Sequence, residues 1–290
     1  MIFSKIFNFI ENPATTFPCF QSPIYITFSI FICTLAWALV YRIANFIFPE
    51  EYLRNLPGAS RIKILQQYYT MMCSLLNTLY LAVPCGYWLY VRLGQSDLAS
   101  SNNNILQKSL DLHNKLGLEE NLIGESIMLT CIASYLLHDL VWITATNYSS
   151  DSPEIFFHHL VGILSSLHGL YSNLSGFTYV FCLCLSEISS IALSLRWFIK
   201  FHGWSSKLEN IFNVLFLSLF LFFRTFLGHI ALYVLLFSEK REGLFIRVQG
   251  VLMTFVNYYF LWQIFVMVVR SFGRGEVKNR ERTEDEAAEE

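Results

Sequence analysis

The sequence predicts an all-α polytopic membrane protein, and three features support this fold class. Of the 290 residues, 54% are hydrophobic and only 14% are charged, whereas soluble domains carry about 25% charged residues. The mean hydropathy is +0.45. The apolar residues form continuous runs and do not alternate with polar ones, which excludes a membrane β-barrel and favours helices.

Seven apolar segments are long enough, or nearly long enough, to cross the hydrocarbon layer, which takes about 20 helical residues. They lie at about 24–48, 69–91, 127–146, 155–171, 177–199, 211–237 and 244–269. The fourth is the shortest, and the few residues before it predict a tight hairpin with the third. We therefore predict about seven transmembrane helices.

The segments outside these spans are polar. Residues 1–57 hold the first span, and since no convincing signal-peptide cleavage site precedes it, we expect that span to remain as an anchor. The long connection at about 92–126 has leucines recurring around 105–116, which predicts a short interfacial helix. Residues 273–290 alternate acidic and basic side chains, so we expect a disordered, solubilising tail.

Charge and cysteine content limit the partners that the chain can have. The net charge of −2 gives no basis for a nucleic-acid partner. Seven cysteines are spread along the chain, several inside apolar spans, which favours small core residues over a disulfide framework. Basic residues are slightly more numerous in the loops on the C-terminal side, which predicts a cytosolic C-terminus.

Ionisable side chains inside the spans are the main functional clue, because each costs several kcal/mol unless it faces a partner or a cavity. His158 and His159 lie in the fourth span, and His138 and Asp139 lie near the end of the third. Asp139 could orient a histidine of the next helix. The alternative is that Asp139 caps or solvates a helix end near the interface, with His138 exposed beside it.

A stripe of small residues accompanies the histidine pair. His158, Gly162, Ser165 and Gly169 share one side of the predicted helix. Small residues let another helix or an acyl chain approach closely. The stripe is thus either part of a functional site or simply a packing seam with one interfacial histidine.

Two further charged residues lie in the middle of later spans. Glu187 is in the fifth span among serines, and Arg224 is in the sixth, five residues before His229. Arg224 is the best candidate partner for Glu187 or Asp139. A buried ion pair with a purely structural role is the alternative. The histidines and Asp139 are also metal-ligand types, but no histidine-box spacing occurs, and we expect no bound cofactor.

These motifs together resemble the TLC domain family, which includes the ceramide synthases. The matching runs are Tyr135–Trp142, Phe157–Ile163, Ser186–Ser190, Leu195–Phe198 and Phe223–Arg224. The resemblance is closest to the small vertebrate TLC-domain proteins four and five. It covers about residues 58–272, which we therefore take as the predicted domain.

The resemblance implies six transmembrane helices bundled around a lipid-facing cavity, preceded here by an extra span. In ceramide synthases the paired histidines serve acyl transfer from acyl-CoA to a sphingoid amine. By motif, His158 and His159 would act as nucleophile or base, while Asp139, Glu187 and Arg224 would tune the charge around them. Two departures stand out. Glu187 and its serines replace a His-Asp element, and Cys73 replaces a histidine that the small branch often has.

The resemblance implies a role in lipid metabolism or membrane lipid composition through binding or regulating lipids. The alternative is an acyltransferase with acyl-CoA as co-substrate and a sphingoid-type lipid as acceptor. A transporter or receptor is a third class, but its usual signatures are missing. The resemblance implies the endoplasmic reticulum. The sequence leaves open the oligomeric state and the roles of His138 and His229.

Overall fold

The computed structural model describes residues 22–47, 68–81, 86, 109, 111, 123–145, 153–173, 175–237 and 243–288, with the backbone alone from residue 267 onward. Within these ranges the regular structure is helical, with no strand. The predicted all-α fold class is therefore confirmed. Most of the predicted interfacial helix lies outside the described residues.

The helices are named here in chain order. They are α1 (Pro23–Ile47), α2 (68–81), α3 (Ile123–Ala145), α4 (Pro153–Ser172), α5 (Gly176–Phe201), α6 (Ser206–Leu219), the π-helix π1 (Phe220–Leu227), α7 (Gly228–Phe237) and α8 (Leu244–Ala288). The helices α6, π1 and α7 follow one another without a break, so they form a single rod.

Five stretches in the described part of the chain are long and apolar enough to cross a membrane. They are Pro23–Ala44, Gly124–Ala145, Gly176–Phe201, Ser206–Phe237 and Leu244–Val266. Each corresponds to a predicted span, which confirms a polytopic membrane protein. The predicted second span is described only at residues 68–81. The predicted fourth span forms α4, which has 20 residues and is not among the five.

The helices divide into an inner and an outer group. Helix α3 packs against α1, α4 and α5, while α8 packs against α4 and α7. Over half of the apolar window of α3 and of α5 is buried (56%), but only 11% of that of α8 and of the α6–π1–α7 rod. Large apolar side chains such as Phe255 and Trp262 are exposed on α8. This pattern is expected where outer helices face lipid.

Glycines set the distance between α4 and its neighbours. A Cβ atom on Gly162 would lie 2.6 Å from Leu136 Cδ1 of α3, and one on Gly169 would lie 2.7 Å from Tyr179 Cδ2 of α5. The small-residue stripe is therefore a packing seam between helices. This contact also agrees with the predicted hairpin of the third and fourth spans.

Helix α8 differs from the prediction at its C-terminal end. Its backbone is helical through Ala288, where the sequence predicts a disordered tail from Gly273. Alanine, glutamate, lysine and arginine are all good helix formers. The same charged composition that prevents a packed core therefore permits a helix.

Candidate functional site

Asp139 and His159 form a buried pair between α3 and α4. His159 Nε2 lies 2.7 Å from Asp139 Oδ2, and the two residues are 7% and 5% exposed. The α3–α4 contact brings them together from positions 20 residues apart in the chain. The geometry agrees with the expectation that Asp139 orients a histidine of the next helix, and it excludes the solvated helix end.

Both ring nitrogens of His159 are engaged. Nδ1 lies 2.8 Å from the carbonyl oxygen of Ile155, which can only accept, so Nδ1 carries a proton and donates it. Nε2 faces Asp139, so one proton must lie between these two groups. Neither nitrogen is free to attack a substrate, and His159 therefore acts as an anchor between α3 and α4.

His158 has a different environment, although it is the next residue. Consecutive helical residues point about 100° apart. The His158 ring packs edge-on against His159 at 5.6 Å and against Phe260 of α8 at 6.0 Å between centroids. Its Nδ1 is buried without a hydrogen-bond partner among the described residues. Of the two histidines, His158 is the one with an available nitrogen.

Arg224 is held by α5. Its Nε donates to the Ser186 carbonyl oxygen at 2.7 Å, and its Nη2 donates to Ser190 Oγ at 3.1 Å. The guanidinium also lies 5.4 Å from the centroid of Phe220. Among the described residues, the expected direct ion pair with Glu187 or Asp139 is not formed. Arg224 lies in π1, whose wider turn changes the direction of its side chains.

Glu187 completes a group of charges. It accepts a long hydrogen bond of 3.5 Å from Thr78 Oγ1 of α2, and it lies close enough to Arg224, His159 and Asp139 to interact electrostatically. Arg224 also acts electrostatically on His158. The predicted residues His158, His159, Asp139, Glu187 and Arg224 thus converge on one interior region, in which opposite charges face one another.

Two other histidines have their ring contacts on other helices, although His138 also interacts electrostatically with the adjacent Asp139. His138 is buried, not exposed, with its ring 6.1 Å from that of Tyr41 of α1. His229 donates from Nδ1 to the Thr225 carbonyl oxygen, and its Nε2 accepts from the Tyr258 hydroxyl group. His138 therefore faces α1, and His229 links the rod to α8.

Tyr135 also belongs to the site, although the sequence analysis did not identify it as a site residue. It is buried, bonds to Ser74 and interacts electrostatically with Asp139, Glu187 and Cys73. It precedes Asp139 by four residues, and residues four apart share a helix face. That spacing could have identified it. Cys73, 1% exposed, lies beside the same group.

Two adjoining cavities lie along α7, and they share the lining residues Cys182, Ala231 and Leu235. The Arg224 cavity, about 70 Å³, is lined by Arg224, Ser186 and residues of α7 and α8 that include Asn257. The α7 cavity, about 100 Å³, is lined mainly by apolar residues of α5, π1 and α7. In the described part of the chain, no group of three or more His, Cys, Asp or Glu side chains is arranged to hold a metal ion.

A protein-family model described as a TLC domain matches residues 118–272, which is more than half of the chain. The match includes α3 to α7, the apolar part of α8 and the five predicted site residues. Helix α1 and residues 68–81 precede it. The predicted domain start near residue 58 stays a prediction.

Proposed function

The chain belongs to the TLC domain family, and we propose that it binds lipid inside its helix bundle and thereby acts in lipid metabolism or membrane lipid composition. We also propose an endoplasmic reticulum location, a cytosolic C-terminus and a place in the small branch of TLC-domain proteins four and five. Membrane lipids are the partners in this proposal.

The proposal rests on the interior group of charges, one member of which, Arg224, lines a cavity. Asp139, Glu187, Arg224 and His159 lie on helices of a membrane bundle, where unpaired charges are costly. If these groups had a purely structural role, they would need only to pair with one another. Here one member of the group, Arg224, lines a cavity, and a second, mainly apolar cavity adjoins it. A charged group next to apolar space is the combination that an amphiphilic ligand needs.

Acyl transfer is the second candidate, and the partnerless Nδ1 of His158 favours it. In this reaction a ring nitrogen of His158 attacks the thioester carbon of acyl-CoA, the C–S bond breaks, and CoA leaves as a thiolate. An amine then attacks the acyl-imidazole, the acyl–nitrogen bond to His158 breaks, and the amine proton passes to a nearby carboxylate such as Glu187. The CoA thiolate is protonated by solvent.

Mass spectrometry of the purified full chain tests both functions. Binding predicts an intact lipid that co-purifies with the protein and is seen under native conditions. Acyl transfer predicts, in addition, a mass increase that maps to His158 after treatment with acyl-CoA and is lost in His158→Phe. Absence of both lipid and adduct, together with an unchanged lipidome in cells lacking the protein, would contradict the proposed function.

A further inference from the structure

The two adjoining cavities differ in that one of them is lined by the charged Arg224 and the other is not. The Arg224 cavity contains polar side chains, namely Ser186, Arg224, Thr254 and Asn257. The α7 cavity is lined mainly by apolar side chains, which include Phe177, Phe181, Leu227, Ile230 and Val234, and its polar lining residues are Ser109 and Thr178. The cavities share three lining residues, so they adjoin one another.

Hydrogen bonding at the polar end sets requirements for a ligand. A guanidinium has five N–H donors, and the contacts of Arg224 with Ser186 and Ser190 use Nε and one hydrogen of Nη2. Asn257 lines the same cavity, and its Oδ1 is buried without a partner among the described residues. A head group that accepts a hydrogen bond from Arg224 and donates one to Asn257 Oδ1 would provide a partner for both side chains.

The surrounding charges favour a head group without net charge. Arg224 already interacts with Glu187, and Asp139 lies near the same group. A second anion beside Arg224 would leave an excess negative charge in a low-dielectric interior, which is costly. A neutral head with one acceptor and one donor adds no such cost.

Size limits the ligand to a small head. The cavities measure about 70 and 100 Å³, and an apolar cavity of about 150 Å³ holds a benzene molecule. A head group and the first part of one chain therefore fit inside the two cavities. A glycerophospholipid head is too large.

We propose that the two cavities bind one single-chain lipid whose small neutral head both donates and accepts hydrogen bonds. The head lies between Arg224 and Asn257, and the chain follows α7. A protonated fatty acid and a fatty alcohol share this chemistry. The inference rests on the proposed lipid-binding function and deepens it by naming the class of ligand and its position.

Photocrosslinking of the full chain in nanodiscs tests this site. The probes are a diazirine-bearing fatty acid, a diazirine-bearing fatty alcohol and a diazirine-bearing lysophosphatidylcholine. The first two should label peptides within 176–182 and 227–235, and the third should not. Labelling by only one of the first two also supports the site and identifies the source of the head group.

A matched pair of variants on α7 makes the test specific. Ala231→Trp places an indole in the wall shared by the cavities and should lower the labelling about tenfold, a change worth about 1.4 kcal/mol. Tyr233→Trp introduces the same side chain at an exposed position two residues away and should leave labelling unchanged.

A milder variant covers the case in which Ala231→Trp does not fold. A Cβ atom on Gly228, which lines the Arg224 cavity, meets only the Phe223 carbonyl oxygen at 3.8 Å. Gly228→Ala therefore fits the fold while it reduces the cavity, and labelling should fall by a smaller factor.

Two results would overturn the inference. Labelling confined to outward faces of α1 and α8, with no response to Ala231→Trp or Gly228→Ala, would place the lipid elsewhere. Absence of labelling by both the fatty acid and the fatty alcohol would mean that the cavities do not bind this class of lipid. In either case, a lipid that co-purifies in native mass spectrometry would still support the proposed lipid-binding function. Failure of this inference can therefore be distinguished from failure of the proposed function.

Discussion

The two sides of the interior charge group are built differently. On the α3–α4 side, Asp139 and His159 are buried and pair with each other, with 2.7 Å between Asp139 Oδ2 and His159 Nε2. On the Arg224 side, formed by π1, α7 and α8, Arg224 and Asn257 line a cavity, and Asn257 Oδ1 has no partner among the described residues. His158 lies between them and contacts both His159 and α8.

This difference indicates that the α3–α4 side holds the fold together and that the Arg224 side is the binding site. A buried polar pair that satisfies itself fixes helix positions but offers nothing to a ligand. A buried polar atom without a partner costs free energy that a ligand can recover on binding. We therefore expect substitutions on the α3–α4 side to act mainly on stability, and those on the Arg224 side to act mainly on lipid binding.

Asp139→Ala should give the largest loss of stability. It leaves His159 buried without its charge partner, and breaking a buried pair typically costs about 3–5 kcal/mol. Unfolding of the purified protein in mild detergent measures this. The double variant Asp139→Leu with His159→Phe removes both polar groups and should recover much of the loss. A single variant as stable as the wild type would show that the pair is not a scaffold.

Arg224→Met should reduce both stability and lipid retention. It removes the hydrogen bonds to Ser186 and Ser190, and hydrogen bonds to charged groups contribute about 1.5–3 kcal/mol. Arg224→Lys keeps the charge but cannot form the same two contacts, so it should recover little. Native mass spectrometry and unfolding report the two effects. Full lipid retention in Arg224→Met would remove Arg224 from the binding site.

Gly169→Ala tests the seam between α4 and its neighbours. The new Cβ would lie 2.7 Å from the ring of Tyr179 and 3.0 Å from Leu129 Cδ1. Overpacking of this kind costs about 1–3 kcal/mol. Gly228→Ala, on the Arg224 side, is the control and should change stability by less than about 0.5 kcal/mol. Equal effects of the two substitutions would mean that the seam is not tightly packed.

Among the substitutions of the predicted site residues, His158→Phe should have the smallest effect on stability, about 1 kcal/mol or less, because it removes no hydrogen bond to a described residue. His159→Phe is the matched change at the neighbouring position and should cost more, because it leaves Asp139 buried and unpaired. Thermal unfolding of the two variants side by side gives the comparison. The reverse order would contradict the assignment of His159 as the anchor.

Sequence reasoning predicted the contact between Asp139 and the histidine pair because the short link makes the third and fourth spans neighbours. It did not predict which histidine faces Asp139, because that depends on the rotation of α4, which is set by the close approach at Gly162 and Gly169. It expected Arg224 to pair with an acid. A π-helix has no clear sequence signal, so the direction of Arg224 toward Ser186 was not predictable.

The burial of His138 was also missed. Its position near the end of the third span favoured exposure, but Tyr41 of α1 packs 6.1 Å from its ring, and Trp142 packs 4.3 Å from that of Tyr41. These contacts join residues about a hundred positions apart in the chain. The local pattern of apolar residues predicts the membrane spans. Which helices pack together, and how each is rotated about its axis, can be seen only in the three-dimensional structure.

A cryo-electron microscopy map of the full chain in lipid nanodiscs tests the central claim most directly. We predict a narrow, chain-shaped density that begins beside Arg224 and Asn257 and runs along α7, with the Asp139–His159 contact intact. Lipid density that separates α3 from α4 and breaks this contact, with no density beside Arg224, would contradict the account.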